Sequence, residues 1–205
     1  KTAEFINFMY SNELLDLVAK DGKAVGGYCT EFPEYKAPFI FSNFNGTSGD
    51  VDVLTHEAGH AFAYYTARNF EFSENISPTM ESCECHSMSM EFLAWKWLNL
   101  FYGDDTDRAK YVHLGSALIF LPYGCMVDHF QHIVYDNPDL TPAERHAEWK
   151  KLEAIYRPYL NPDDVDFYAL GRGWQRQLHI YHYPFYYIDY CLAQTVSLEF
   201  WSMSQ

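Results

Sequence analysis

Residues 56–60 have types and a spacing that could carry out hydrolytic chemistry. They spell His-Glu-Ala-Gly-His. On a helix, side chains four residues apart lie on one face, so the imidazoles of His56 and His60 can bind one zinc ion. Glu57 lies one step around the helix, where it is poorly placed as a ligand but can reach a water molecule at the metal. The pattern predicts a zinc hydrolase site, although the same five residues also occur by chance in helices that only form part of a core.

A catalytic zinc site usually has a third protein ligand, and the segment 77–91 offers several. If the segment is helical, three glutamates share one face: Glu81, Glu84 and Glu91. An exposed acidic stripe would explain them, but the many apolar residues of the segment favour a buried role beside a cation. Three other side chains compete as ligands, namely Cys83, Cys85 and His86. A thiolate suits a structural site, whereas a site that keeps a water molecule favours histidine with carboxylate.

Together these motifs resemble the catalytic part of the oligoendopeptidase F and thimet oligopeptidase family of zinc metallopeptidases. That family carries H-E-x-G-H, then a glutamate ligand on the next helix and another glutamate seven residues beyond it. Residues 56–60, Glu84 and Glu91 occupy these positions here. The resemblance runs from about Gly22 to Ser202. The chain departs at Cys85-His86, where small apolar residues are usual in many members, and this leaves His86 as an unexplained neighbour.

The resemblance implies a role for each residue of the motif. His56, His60 and Glu84 would bind one Zn²⁺ per chain, and Glu57 would act as the general base towards a metal-activated water molecule. Glu91 would accept an imidazole N–H and so orient a ligand ring. Two weaker candidates for that last role are Glu81 and Asp52.

Residues 179–190 pack two histidines and five tyrosines into one short segment. Most of these rings suit the well-packed start of a helix. The resemblance implies that His179, Tyr187 and Tyr190 bind substrate and stabilise the tetrahedral intermediate. The register is open by about one residue, so that His182 could replace His179, and Tyr186 could replace Tyr187.

The elements that must position these residues follow from periodicity and turn signals. We predict a fold that is mainly α with a small antiparallel or mixed β-sheet, a zincin-like catalytic domain over residues 1–205. The predicted elements are a helix over 2–20, strands over 24–29 and 38–44, the zinc helix at about 48–69, the third-ligand helix at about 77–101, helices over 106–135 and 141–156, and a substrate-binding segment over 171–205. Residues 38–44 are expected to form an edge strand that could pair with a substrate backbone.

Composition limits the partners of the chain. A net charge of −14 argues against binding to nucleic acid or to an anionic membrane. Five cysteines without a C-x-x-C pair favour reduced thiols, and no targeting or membrane-spanning segment is evident, so we expect a cytoplasmic protein. Because the chain starts without Met, we expect a piece of a longer peptidase, with the remaining lobe as its partner and short peptides as substrates.

Two alternatives to a peptidase are open at this level. The first is a non-catalytic helical domain whose metal is structural or absent, and a fourth protein ligand would favour it. The second is a zinc hydrolase that acts on a non-peptide acyl substrate, which the motif alone does not distinguish from a peptidase.

Overall fold

The computed structural model describes residues 1–162 and 164–205, apart from the side chain of Ser73. The described chain divides into two compact units, and the single domain expected over residues 1–205 stays a prediction. Unit 1 contains residues 1–111 and 193–205, and unit 2 contains residues 112–192.

Unit 1 combines a small sheet with helices. Its elements are α1 (Thr2–Ser11), β1 (Leu15–Val18), β2 (Tyr28–Phe32), β3 (Ala37–Phe44), α2 (Ser48–Ala67), α3 (Cys83–Leu93), α4 (Asn99–Tyr102) and the start of α5 (Thr106–Asp136). Unit 2 continues α5 and adds α6 (Pro142–Tyr156), α7 (Asp166–Ala169), α8 (His179–His182) and the start of α9 (Tyr187–Met203), which ends in unit 1. The predicted fold class, mainly α with a small mixed sheet, is confirmed.

The sheet has the strand order β1-β3-β2. Strand β1 pairs with β3 in parallel, with Leu15 opposite Ile40. Strand β2 pairs with β3 antiparallel, with Cys29 opposite the same Ile40. The prediction that residues 38–44 form an edge strand is therefore wrong, because neighbours on both sides use the backbone hydrogen bonds of β3. The outer edges of the sheet belong to β1 and β2.

The predicted helix over residues 2–20 is also too long. Helix α1 ends at Ser11, where the side chain of Asn12 donates a hydrogen bond to the carbonyl oxygen of Phe8 at 2.8 Å. The chain then reverses through Glu13, whose φ is 53°, and enters β1. Apolar residues in this stretch fit a helix and a strand equally well, and the pairing with β3 decides in favour of the strand.

The core of unit 1 fixes helix α2 against the sheet. Residues from α1, β3 and α2 form one buried cluster: Phe5, Met9, Ile40, Ala61 and Tyr65. Burial of each large apolar side chain stabilises the fold by about 1.5–3 kcal/mol. Within the same unit, Trp201 from the end of α9 packs against Phe92 of α3 and against Trp95, with ring centroids 5.9 and 5.0 Å apart. Both helices of the candidate site are thus anchored by apolar contacts.

The third-ligand helix is shorter than the predicted span of residues 77–101. Helix α3 begins at Cys83 rather than at Pro78 and ends at Leu93, where a 3-10 turn follows. Before it, the backbone N–H of Ser82 bonds to the carbonyl of Thr79 at 3.1 Å, and the hydroxyls of these two residues lie 3.3 Å apart. Hydroxyl side chains that bond locally compete with helix formation. As a result Glu81 precedes the helix and does not share a helical face with Glu84.

In unit 2, a capping box opens helix α6, which was predicted over residues 141–156. The hydroxyl of Thr141 accepts from the backbone N–H of Glu144, and the Glu144 carboxylate accepts from the backbone N–H of Thr141. The core of this unit gathers six residues: Met126, Val127, Phe130, Trp149, Leu152 and Trp174. Among the described residues, no helix has the length and apolar character needed to cross a membrane.

Candidate metal centre

Helices α2 and α3 approach each other closely at Gly59, inside the His-Glu-Ala-Gly-His motif. A Cβ atom added to Gly59 would lie 2.6 Å from the Cα of Ser87 and 2.9 Å from the carbonyl oxygen of His86. Both are backbone atoms of α3, which cannot move aside without moving the helix. The glycine therefore sets the distance between the helix that carries the two histidines and the helix that carries Glu84.

Replacement of Gly59 by alanine is expected to destabilise the protein by about 1–3 kcal/mol, as overpacking does in other cores. It should also weaken zinc binding, because α3 must shift away from His60. Urea unfolding and zinc titration would measure the two effects. Gly49→Ala is the matched control, since its nearest neighbour would be the Thr47 hydroxyl at 3.6 Å. Equal stability of the two variants would contradict this interpretation.

Two imidazoles and one carboxylate converge between these helices. The Nε2 atoms of His56 and His60 each lie 3.1 Å from Oε2 of Glu84. Glu84 is only 5% exposed. Among the described residues, these three form the one group of histidine, cysteine or acidic side chains with ligand atoms close enough to hold a metal ion, all within 4.8 Å of one another.

Each predicted ligand is supported by a further side chain. Oε1 of Glu91 lies 2.7 Å from Nδ1 of His56. Nε2 of His86 lies 3.0 Å from Nδ1 of His60. The hydroxyl of Ser87 lies 2.8 Å from Oε2 of Glu84. Partners of this kind orient the ligand rings so that Nε2 faces the metal.

Glu57 is a buried carboxylate beside this group, with an exposed fraction of 7%. Its Oε2 atom is buried and has no hydrogen-bond partner among the described residues. Burial raises the pKa of Glu57, while positive charge on His56 or His60 and a hydrogen bond from the backbone of Cys29 act in the opposite direction. A carboxylate with a raised pKa and an oxygen available for bonding suits a general base.

Protonation of the group shows that it is built around positive charge. Burial would lower the pKa of His56, but its hydrogen bonds to Glu84 and Glu91 raise that pKa to about 10. Burial likewise opposes ionisation of Glu84, yet the hydrogen bonds from His56 and His60 hold its pKa well below the usual range. Burial and the nearby charge on His60 lower the pKa of His86 to about 4, so His86 is neutral and can accept a proton in a hydrogen bond.

The donor set fits a catalytic zinc ion. Two neutral imidazole nitrogens with one carboxylate oxygen are a known set for zinc sites that keep an open position. None of the competing ligands, Cys83, Cys85 and His86, belongs to the converging group within the described part of the chain. For Glu81 and Asp52, the weaker candidates for orienting a ligand ring, that role stays a prediction. A fourth protein ligand, which would have favoured a structural site, thus has no support in the described geometry.

The predicted substrate-binding residues form an aromatic cluster within unit 2. The ring of His179 lies 5.1 Å from that of Tyr187 and 5.7 Å from that of Tyr190, measured between centroids. Tyr186 also joins this cluster, 5.1 Å from Tyr190, whereas His182 is exposed. The three predicted residues are therefore neighbours of one another, and their role towards substrate stays a prediction.

Sequence analysis assigned no role to three supporting residues. Ser87 was a usable signal, because a hydroxyl three residues after a buried glutamate can reach its carboxylate. His86 was noticed without an explanation, and its contact with His60 depends on how two helices cross. Gln177, which contacts Nδ1 of His179 at 2.7 Å, has no local sequence signal.

Comparison with known proteins shows the family to which the chain belongs. A model of peptidase family M3 matches residues 4–204. A solved structure of PZ peptidase A with an inhibitor is 57% identical, with a TM-score of 0.95, over 98% of this chain and 36% of that chain. A protein classed as an oligoendopeptidase F is 58% identical, with a TM-score of 0.96, over 98% and 36% of the two chains.

A third solved structure, classed as an oligoendopeptidase F of Bacillus anthracis str. Ames, is 55% identical, with a TM-score of 0.84, over 98% of this chain and 33% of that chain. No curated protein matches the chain. The chain spans about a third of the length of these solved relatives. Since the family model covers almost all of the chain, the chain belongs to peptidase family M3.

Proposed function

We propose that the protein containing this chain is a zinc-dependent endopeptidase that hydrolyses short oligopeptides. One observation supports this most directly. His56, His60 and Glu84 converge on one point, and Glu57, on the same helix as the two histidines, keeps a buried oxygen without a hydrogen-bond partner among the described residues. A purely structural site would have no use for Glu57 in that position.

The chain's own residues supply binding, orientation and proton transfer. His56, His60 and Glu84 would hold the zinc ion, with Glu91, His86 and Ser87 fixing the ligand orientations. When bound, zinc supplies Lewis acidity, which acidifies water and polarises a carbonyl oxygen. Glu57 accepts a proton from the water molecule whose oxygen attacks the peptide carbonyl carbon. It then donates that proton to the departing nitrogen as the C–N bond breaks.

His179 and Tyr190 are proposed to donate hydrogen bonds to the carbonyl oxygen as negative charge develops on it. Tyr187 supports them in the same cluster. Burial raises the pKa of Tyr187 well above its usual range, so its hydroxyl keeps its proton at any physiological pH. Phenol O–H and imidazole N–H groups that donate to a developing oxyanion stabilise the transition state more than the ground state.

The proposal includes short peptides as substrates and a cytoplasmic location. It also includes a remaining lobe, corresponding to the part of the relatives that this chain does not cover, as a partner of the chain. The names of the relatives, PZ peptidase A and oligoendopeptidase F, support the substrate class. A zinc hydrolase of non-peptide acyl substrates is the alternative that the site geometry leaves in place.

Metal removal tests the proposal on the intact protein. Cleavage of an internally quenched peptide of about ten residues should stop after treatment with 1,10-phenanthroline and return when one equivalent of zinc is added. An activated ester of matched length serves as the comparison substrate. Ester hydrolysis without any peptide cleavage would favour the acyl-hydrolase alternative, and peptide cleavage unaffected by the chelator would contradict the zinc mechanism.

Zinc affinity should depend on pH in a defined direction. In the metal-free site the pKa of His56 is about 10, so below that pH a proton occupies the ligand and zinc must displace it. Binding that releases one proton weakens about tenfold for each unit by which the pH falls. Competition with a chelator of known affinity between pH 6 and 8 would measure the slope. A zinc affinity independent of pH over that range would contradict this assignment.

A further inference from the structure

We propose that Gln177 is a positioning residue that fixes the tautomer of His179, so that the ring carries its proton on Nε2. The inference concerns unit 2, where Gln177 lies half-buried between Tyr123 and His179. The consequence for catalysis rests on the proposed function, whereas the tautomer itself follows from the hydrogen bonds.

Three side chains form a directed series of hydrogen bonds. The hydroxyl of Tyr123 donates to Oε1 of Gln177 at 2.8 Å. Nε2 of the same amide lies 2.7 Å from Nδ1 of His179. Because Tyr123 holds the amide oxygen, the amide nitrogen is turned towards the imidazole. In this orientation of the amide, its oxygen contacts Tyr123 and its nitrogen contacts His179.

With the amide in this orientation, the chemistry of the two groups leaves one arrangement of protons. The amide nitrogen of glutamine can donate but cannot accept. Nδ1 of His179 must then accept, so it has a lone pair and no proton. A neutral imidazole carries one ring proton, which is consequently on Nε2. The same bond disfavours the imidazolium form, in which both ring nitrogens are donors.

The proton on Nε2 faces the aromatic cluster. Nε2 of His179 lies 3.4 Å from the hydroxyl oxygen of Tyr190. When Nε2–H donates to this oxygen, Tyr190 directs its own proton away from His179. The series thus runs from Tyr123 through Gln177 and His179 to Tyr190 with every donor pointing the same way, an arrangement in which hydrogen bonds strengthen one another.

This polarity matters if the cluster stabilises a developing oxyanion. With the inferred tautomer, Nε2–H of His179 is a donor that can pass from Tyr190 to the oxyanion, and Tyr190 presents its own hydroxyl proton. With the opposite tautomer, Nε2 would present a lone pair, which repels negative charge. Loss of a single donor to an oxyanion costs about 10²- to 10³-fold in kcat. A mixture of tautomers should cost less than that, because part of the population keeps the donor.

The tautomer can be measured without substrate or metal. Magic-angle-spinning ¹⁵N NMR of the intact, histidine-labelled protein separates protonated from unprotonated ring nitrogens, and His179→Gln identifies the signals. We expect His179 to show an unprotonated Nδ1 and a protonated Nε2. In Gln177→Glu, where the side chain can only accept, Nδ1 should acquire a proton. Gln175→Glu, an equal charge change at an exposed neighbour, should leave the signals unchanged.

Kinetics then separate an effect through His179 from a general structural effect. Gln177→Leu should lower kcat for a short peptide by about 10-fold or more, within the limit set by loss of one donor, with little change in KM. In a His179→Ala background the same substitution should have no further effect, because its action passes through His179. A protonated Nδ1 in the unsubstituted protein would overturn the inference. So would a full additional loss in the double variant.

The two levels of the proposal fail separately. If the protein cleaves no peptide, the proposed function fails while the tautomer result stands. If it cleaves peptides normally but His179 carries its proton on Nδ1, only the inference about Gln177 fails.

Discussion

Glu57→Gln is expected to keep full zinc content and to lower kcat for a short peptide by about 10²- to 10⁴-fold, the usual contribution of a general base. The amide has nearly the size of the carboxylate and cannot accept the proton of the attacking water. The ligands His56, His60 and Glu84 are untouched, so the zinc affinity should stay within a few fold. Because the Glu57 side chain is buried and its charge is destabilised there, loss of that charge should not unfold the protein.

Glu57→Asp is the matched control for this experiment, since it keeps the charge but moves the carboxylate back along the side chain. Its activity should lie between those of the wild type and Glu57→Gln. Zinc content from mass spectrometry and single-turnover cleavage would be measured on all three proteins. A Glu57→Gln variant that still turns over at the wild-type rate would remove Glu57 from the mechanism.

Glu84→Ala should lose zinc rather than slow the chemical step. Outer partners of metal ligands typically contribute 10- to 100-fold to affinity, so loss of a ligand should weaken binding by more than about 100-fold. The substitution also removes the acceptor shared by His56 and His60, each 3.1 Å from Oε2. Activity should return in part when excess zinc is supplied, because Glu57 and the two histidines remain.

Two substitutions control for charge and for position. Glu81→Ala removes the same group at an exposed residue before α3 and should bind zinc normally. Glu91→Gln removes the charge from the partner of His56 and should weaken binding by about 10- to 100-fold. Isothermal titration with a competing chelator would rank the four proteins. Zinc affinity in Glu84→Ala equal to that of Glu81→Ala would contradict the ligand assignment.

The two histidines of the metal group could be predicted because their spacing along the chain determines that they share one helical face. His56 and His60 lie one helical turn apart, so local geometry alone brings them together. Glu84 is on another helix, and spacing left it open among six candidates until the resemblance to a family selected it. Glu84 lies beside the two histidines because α2 and α3 approach each other closely at Gly59. This tertiary contact cannot be predicted from the local sequence pattern.

The errors in the sheet have a common physical origin in contacts between distant residues. Residues of β1 form a strand because Leu15 and its neighbours pair with β3. Strand β3 is central because β1 and β2 pair with it on opposite sides. Local patterns predict neither event. The helix over 141–156 was placed correctly because all the interactions of the capping box that opens it lie within four residues. The start of α3 was placed too early for a local reason, because Ser82 bonds to the carbonyl of Thr79 and the hydroxyls of these two residues lie 3.3 Å apart.

Zinc K-edge X-ray absorption of the intact protein, loaded with one equivalent of zinc, tests the central claim most directly. It reports the number and type of ligand atoms around the metal. We expect two imidazole nitrogens and light-atom oxygen ligands at about 2.0–2.2 Å, with one imidazole contribution lost in His60→Ala and the first shell altered in Glu84→Ala. A sulfur scatterer at about 2.3 Å, or an unchanged spectrum in both variants, would contradict a centre formed by His56, His60 and Glu84.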